Sequence, residues 1–302
     1  MTHYDLVASN KRKSVLIIGI FIAFISGAAY VMARGFGYGL DMVGIALIAS
    51  GALSFASYWW SDSIILSISG ARPATREEFF DFFTVTENIA HSQGLPLPKL
   101  YVIDDSAMNA FATGRDPQHA VVCATTGILA RLNRAEIEGV VAHELSHVKN
   151  YDIRLMSIVT ILVGLIALLS DWMLRMSFWG GSRKRSDNDG GGQMQVIFFA
   201  AGLTLALLSP LIAQLIQLAI SRRREFLADA SAVAMTKNPE GLAKALEKIS
   251  QDREPLEAAN KATAHLYISD PLRNLHGGVG WFAGLFQTHP AVEERVKALR
   301  SL

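Results

Sequence analysis

Four long apolar runs divide the chain, at residues 15–32, 42–60, 153–176 and 196–220. A helix rises about 1.5 Å per residue, so each run is long enough to cross a hydrocarbon layer of about 30 Å. The second run ends on three aromatic residues, which suit the headgroup level of a bilayer. This pattern predicts four transmembrane helices, arranged as two hairpins.

Two of these interpretations have alternatives. The first run also has the position of a cleaved signal peptide, but its length and the second run that follows at once favour a retained anchor. The last two runs are also compatible with buried helices of a globular protein, so full spanning stays open for that pair. The glycine-rich tip between them, residues 180–192, predicts a flexible loop.

The two polar stretches, residues 61–152 and 221–302, predict a mixed domain. Apolar positions repeat at helical or strand spacing within them. Helices are predicted at 75–91, 126–132, 134–152, 239–251 and 290–301, and strands at 97–103, 109–113 and 119–124. The expected fold class is mainly α (α+β): a polytopic membrane protein with one domain, split by the second hairpin. The divisions along the chain are 1–60, 61–152, 153–220 and 221–302.

Composition agrees with membrane segments and narrows the function. Hydrophobic residues make up 51% of the chain and charged residues only 18%, less charge than an ordinary soluble domain carries. The net charge of +1 gives no sign of a nucleic-acid partner. The single cysteine, Cys123, excludes an intramolecular disulfide framework and a cysteine-rich metal site.

The clearest chemical motif is HExxH, formed by His143, Glu144 and His147 in the predicted helix 134–152. Residues four apart project from the same helix face, so the two imidazoles can share one zinc ion. Glu144 lies on the adjoining face, where it can take a proton from the attacking water. The alternative is a solvated helix that carries two histidines by chance, but residues 139–142 are too apolar for a free surface.

A catalytic zinc site needs a third protein ligand, and Glu225 is the best candidate. His147 lies six residues before the third apolar run, and Glu225 lies five residues after the fourth. Two crossings would bring both to the same membrane surface. Asp229, one helical turn after Glu225, would then orient a histidine ring from behind. The alternative is a helix on which these carboxylates only make ion pairs with nearby arginines.

The segments HELSHVKNYD and RRREFLAD together resemble the HtpX-type membrane metalloproteases, which are gluzincins related to the integral-membrane CAAX prenyl endopeptidases. The resemblance covers essentially the whole chain. It implies a zincin-like metalloprotease domain at the membrane surface. It also implies Zn²⁺ as the cofactor, with His143, His147 and Glu225 as its ligands and Glu144 as the general base.

Two further segments match the family pattern. Asn109, Ala110, Phe111 and Ala112 begin an NAFATG segment, which the resemblance makes an edge strand where substrate binds in extended form. The alternative is a purely structural strand and turn. His289, in Thr-His-Pro, would donate a hydrogen bond to the oxyanion, or else it is only a residue at a helix start.

The resemblance implies an endopeptidase that cuts membrane proteins or misfolded proteins at a lipid bilayer. A bacterial inner membrane with a cytoplasmic active site is the simplest host, although the basic hairpin tip, Arg183 to Arg185, runs against the positive-inside rule. An intramembrane protease of the site-2 type is disfavoured, because polar residues flank HExxH on both sides. A membrane scaffold with a structural or inactive zinc site is the non-enzyme alternative.

Overall fold

The computed structural model describes residues 3–36, 41–179, 222–256 and 290–302, together with residues 196, 200, 263 and 266–268. The protein is mostly helical and has one small sheet. The helices are α1 His3–Phe36, α2 Asp41–Trp59, α3 Ser61–Ile68, α4 Phe80–Ser92, α5 Thr126–Arg131, α6 Arg134–Lys149, α7 Asp152–Trp179, α8 Arg222–Thr236, α9 Pro239–Gln251 and α10 Val292–Leu299. The strands are β1 Arg72–Pro73, β2 Lys99–Ile103, β3 Ala110–Thr113 and β4 Val121–Thr125.

The first three apolar runs coincide with α1, α2 and α7. The glycine-rich tip and the fourth run, apart from residues 196 and 200, lie outside the described residues. Over the described part of the chain, no single helix has both the length and the apolar composition of a membrane span. Helices α2 and α3, bent by 83° at their junction, reach that composition as a pair.

The predicted helix 134–152 is two helices, α6 and α7, which are separated by a tight turn. Tyr151 has a backbone φ of 60°, in the left-handed region, so a continuous helix through this residue is impossible. The other end of α6 begins with a capping box. The Asn133 side chain accepts from the backbone N–H of Glu136, and the Glu136 carboxylate accepts from that of Asn133.

Other predicted elements occur at nearly the expected places. The three strands and the helices near 126 and 239 are present, with ends shifted by at most two residues. Helix α4 starts five residues later than predicted, at Phe80, because residues 75–79 form a separate turn closed by the Phe79 N–H and the Thr75 carbonyl. Strand β1 and helix α3 were not predicted.

The sheet has the order β1-β2-β4-β3, so β3 lies at an edge. Strands β2 and β4 are parallel, and β3 is antiparallel to β4. Successive residues of a strand point to opposite faces of the sheet, and each face packs against its own hydrophobic core. Ala110 and Ala112 face a core made with α4, α6 and α9, whereas Phe111 and Cys123 face a second core made with α1, α3 and α7. The sheet therefore joins the α6 layer to the long apolar helices.

Candidate metal centre

Helix α6 lies in the middle of the protein, in contact with α4, α8, α9 and the edge strand β3. Its side chains are buried almost continuously from Glu136 to Val148. It is therefore not a solvated helix, and a histidine pair at this depth needs polar partners.

The two histidines of α6 face each other through their Nε2 atoms, which lie 3.3 Å apart. Glu225 approaches from α8, with one carboxylate oxygen 3.7 Å from Nε2 of His143 and the other 3.7 Å from Nε2 of His147. All three side chains are buried, and their donor atoms lie within 4.8 Å of one another. The structure thus brings together the three residues that the sequence had suggested from two distant segments.

These donors fit a zinc ion in type and spacing. With Zn–N and Zn–O distances of about 2.0–2.2 Å, donor atoms in a tetrahedral site lie roughly 3.3–3.6 Å apart. The observed separations of 3.3 and 3.7 Å need only small adjustments to reach that range. Three protein ligands are also the number expected of a catalytic site that keeps one position for water.

Each imidazole is held from behind by an aspartate. Nδ1 of His143 lies 2.9 Å from an oxygen of Asp229, and Nδ1 of His147 lies 3.0 Å from an oxygen of Asp152. An ionised carboxylate only accepts hydrogen bonds, so Nδ1 carries the proton in both rings. The lone pair that can bind metal then belongs to Nε2, on the side that faces Glu225. Asp229 was predicted from the sequence as the carboxylate that orients a histidine ring, whereas Asp152 was not predicted.

Each aspartate is paired in turn with an arginine. Arg295 of α10 donates to both oxygens of Asp229, at 2.8 and 2.6 Å, and Arg224 lies 3.2 Å from Asp152. Arg295 is only 1% exposed, and its pKa is raised because its ion pairs outweigh the effect of burial. No sequence motif identified Arg295. Its signal was a charged residue on the apolar face that Val292, Val296 and Leu299 form in α10.

The charges around the centre shift two more pKa values. Burial by itself raises the pKa of Asp229, but the charge and hydrogen bonds of Arg295 lower it to about 2. Burial by itself lowers the pKa of His147, but the hydrogen bond with Asp152 and the charge of Glu225 raise it to about 9.

Glu144 differs from the other carboxylates at the centre. It is 2% exposed, and among the described residues no hydrogen bond reaches its side chain. Burial raises its pKa, although the charges of both histidines act in the opposite direction. A buried carboxylate with spare acceptor capacity is chemically suited to take up a proton.

The segment suggested for substrate binding lies beside α6. Ala110, Phe111 and Ala112 are in the edge strand, Asn109 precedes it, and all four are buried. The outward N–H of Ala110 donates to the Asn109 side chain at 3.1 Å, and its carbonyl accepts from the N–H of Ile268 at 2.9 Å. A short piece of the C-terminal part therefore covers this end of the edge. His289 lies outside the described residues, so its role stays a prediction.

The comparisons with known proteins agree on one family. The model of peptidase family M48 matches residues 79–302. A protease HtpX homologue from Thermoanaerobacter pseudethanolicus is 43% identical over 100% of this chain and 98% of its own length. One from Dictyoglomus thermophilum is 42% identical over 100% of this chain and 95% of its own length.

A solved structure has the same general fold. The crystal structure of Ste24p from S. mikatae aligns with 98% of this chain and 67% of its own, with a TM-score of 0.50 and 22% identity. The resemblance that HELSHVKNYD and RRREFLAD had suggested is thus confirmed over the whole chain. This chain belongs to peptidase family M48.

Proposed function

We propose that this chain is a zinc-dependent endopeptidase that hydrolyses peptide bonds of protein substrates at a membrane surface. The observation that carries the proposal is the buried group of His143, His147 and Glu225, with Glu144 beside it. Membership of family M48 supports the same reaction class. Zinc held by the three ligands would polarise the scissile carbonyl and make water a better nucleophile.

In this proposal Glu144 is the general base. It takes a proton from the attacking water as the new C–O bond forms, and it passes that proton to the leaving nitrogen as the C–N bond breaks. Burial raises the pKa of Glu144, which makes it a better proton acceptor than an exposed glutamate. His289 would donate a hydrogen bond to the oxyanion, as the family resemblance implies.

Substrate would bind in extended form along the edge strand, beside Asn109, Ala110, Phe111 and Ala112, and at Ala110 it would have to displace the N–H of Ile268 from the carbonyl. A peptide added to this edge hydrogen-bonds through its backbone, so it is recognised with little regard to its side chains. The position of β3 against α6 supports this arrangement, because it puts a bound peptide next to the metal ligands.

We also propose that the chain is anchored in a lipid bilayer. Helices α1 and α2 expose large apolar side chains that a bilayer would cover: Val15, Leu16, Ile45, Leu47, Ile48, Phe55 and Trp59. The division would be a first transmembrane hairpin at 1–60, a second at 153–220, and a metalloprotease domain made of 61–152 and 221–302. Its substrates would then be membrane proteins or misfolded proteins.

The active site would face the cytoplasm of a bacterium, with the hairpins in the inner membrane. The basic residues before the first apolar run support this side. Among them Lys11 lies 4.5 Å from the ring of Tyr151, in the turn that follows the HExxH helix. Basic residues next to a transmembrane segment favour the cytoplasmic side.

The test compares purified wild-type protein with the variants Glu144→Gln and Glu225→Ala. Glu144→Gln should keep zinc and lose cleavage of casein by at least ~100-fold, because the general base is gone. Glu225→Ala should lose both bound zinc and cleavage. Glu138→Gln is the matched control, since Glu138 is a half-buried residue of the same helix.

Mass spectrometry of the products and of bound metal would decide between outcomes. Full cleavage by Glu144→Gln would contradict the proposed base. Unchanged zinc content in Glu225→Ala would remove that residue from the ligands. Zinc bound by a wild-type protein that cleaves nothing would instead favour the membrane scaffold.

A further inference from the structure

Asn10 is a buried polar residue in the N-terminal helix, far from the metal ligands in sequence. Its side-chain N–H₂ donates to the backbone carbonyl of Asn150 at 2.9 Å and to a carboxylate oxygen of Asp152 at 2.7 Å. Its carbonyl oxygen accepts from Arg224 at 3.1 Å. The amide thus makes three long-range hydrogen bonds, to three elements of the protein.

The two carboxylate oxygens of Asp152 have different partners, one in the N-terminal helix and the other in the metal centre. One oxygen accepts from Asn10 and lies 3.2 Å from Arg224, and the other is bound to Nδ1 of His147. The orientation of the His147 ring therefore depends on the carboxylate, which in turn depends on Asn10. The contact with the Asn150 carbonyl adds a second restraint, because Asn150 is the residue that ends α6.

The two imidazoles differ in how their support is built. Asp229, behind His143, is held by both nitrogens of the Arg295 fork in a bidentate pair. Asp152, behind His147, follows the left-handed turn at Tyr151 and shares one oxygen between Arg224 and Asn10. Arg224 also donates to the Asn10 side chain, so the two groups that contact this oxygen of Asp152 are fixed to each other.

We propose that Asn10 is a positioning residue of the metal centre: through Asp152 it aligns the imidazole of His147 with the metal, so that the N-terminal helix is part of the site. The inference rests on the proposed zinc site, and it is independent of whether the centre hydrolyses peptides. Loss of an outer hydrogen bond to a metal-bound histidine typically weakens metal affinity by about 10–100-fold.

An exchange of side chains tests this link. Asn10→Asp places a second carboxylate against Asp152, and Asp152→Asn weakens the support of His147. Each variant should bind zinc at least ~10-fold more weakly than wild type. The double variant restores an amide facing a carboxylate between the two positions, but the Asn150 carbonyl and the His147 ring keep altered partners. Its loss of zinc affinity should therefore be smaller than the two single losses combined, a coupling that independent sites do not show.

Zinc affinity would be measured by chelator competition on the full-length protein in detergent, and the site geometry by the visible absorption of the Co²⁺ form. The matched control is Ser14→Ala. Ser14 lies one turn further along α1 and is equally buried, but among the described residues its hydroxyl donates only to the backbone carbonyl of Asn10, within the helix. The Ser14→Ala variant should leave the zinc affinity and the Co²⁺ spectrum unchanged.

Several outcomes would overturn the inference. Wild-type affinity in Asn10→Asp, or simple addition of the two effects in the double variant, would show that Asn10 does not act through Asp152. If Asn10→Asp does not fold, Asn10→Ala is measured in its place, and an unchanged Co²⁺ spectrum would be equally adverse. A wild-type protein that binds zinc as expected but cleaves nothing contradicts only the proposed peptidase function, and one that binds no zinc contradicts both.

Discussion

At the scale of single residues, the centre is built from charges that are buried in pairs. Asp229 is 2% exposed and Arg295 is 1% exposed, and their two hydrogen bonds keep both groups ionised. A charge at this depth is tolerated only with a partner of opposite sign and good geometry. Asp229 also holds the His143 ring, so one carboxylate supports both the fold and the orientation of a metal ligand.

Asp229→Asn should lower the free energy of unfolding at neutral pH by about 3 kcal/mol, because it leaves the buried Arg295 with only the longer ion pair to Glu225, at 3.7 Å. The folded-state pKa of Asp229, about 2, lies below its unfolded value, so the stabilisation is complete above about pH 4. It is lost as the pH falls through 2. Chemical denaturation between pH 7 and pH 3 should therefore show a gap from wild type that narrows in acid.

The control for this change is Asp81→Asn, which breaks an exposed ion pair with Arg134. Water screens that pair, so its loss should cost much less. Equal changes in the free energy of unfolding for the two variants at neutral pH would mean that the buried Asp229 pair stabilises the protein no more than an exposed pair does.

At the scale of elements, local patterns predicted the helix that carries the motif but not its surroundings. The capping residues of α6, the histidine spacing and the alternation in the strands are all short-range signals. The turn at Tyr151 is different, because its left-handed backbone has no marker such as glycine or asparagine. For that reason the helix was predicted to run through Asp152. The hydrogen bond between Asp152 and the His147 ring was therefore not predicted.

Helices α6 and α9 approach so closely that their backbones touch. A Cβ atom on Gly139 would lie 2.6 Å from the backbone nitrogen of Leu242, which is too close for any real contact. Gly139 lies one turn before His143, so this contact fixes the helix near the metal ligands. The glycine is a requirement of packing rather than of backbone angle.

Gly139→Ala should therefore destabilise the protein by about 1–3 kcal/mol, since the helices must move apart. The helix propensity of alanine, favourable by about 1 kcal/mol, opposes this loss. Gly51→Ala is the matched control, because Gly51 is also helical and nothing lies within 4 Å of its added Cβ. Thermal unfolding should show a lower Tm for Gly139→Ala only; a Tm unchanged or raised would contradict the close contact.

At the scale of the whole molecule, the centre joins parts of the chain that are distant in sequence. The ligands come from α6 and α8, and their supporting residues come from α1, α7, α8 and α10. Sequence patterns identified the ligands because the two motifs are distinctive. They did not identify Asn10 or Arg295, whose partners are set by tertiary packing alone.

Metal removal should consequently weaken the whole fold. At free zinc about 100 times the Kd, binding to the folded state alone contributes about 2.7 kcal/mol, so a chelator should lower the Tm by several degrees and zinc should restore it. Glu225→Ala should be insensitive to both additions. A wild-type Tm that does not respond to chelation would contradict this expectation.

The paired arginines have one more consequence, which concerns charge neutrality. When both imidazoles are neutral, as metal ligation requires, the centre has four carboxylates and two guanidinium groups among the described residues: Glu144, Glu225, Asp229 and Asp152 against Arg295 and Arg224. These six groups together carry two negative charges, the complement of one divalent cation, and the half-buried Lys13, which interacts with Asp152 and Arg224, offsets part of that charge. Without that cation, protons are the available substitute, as the raised pKa values of Glu144 and His147 indicate. Loading the centre with metal is therefore an exchange of ions, in which protons leave for the solvent as the cation enters.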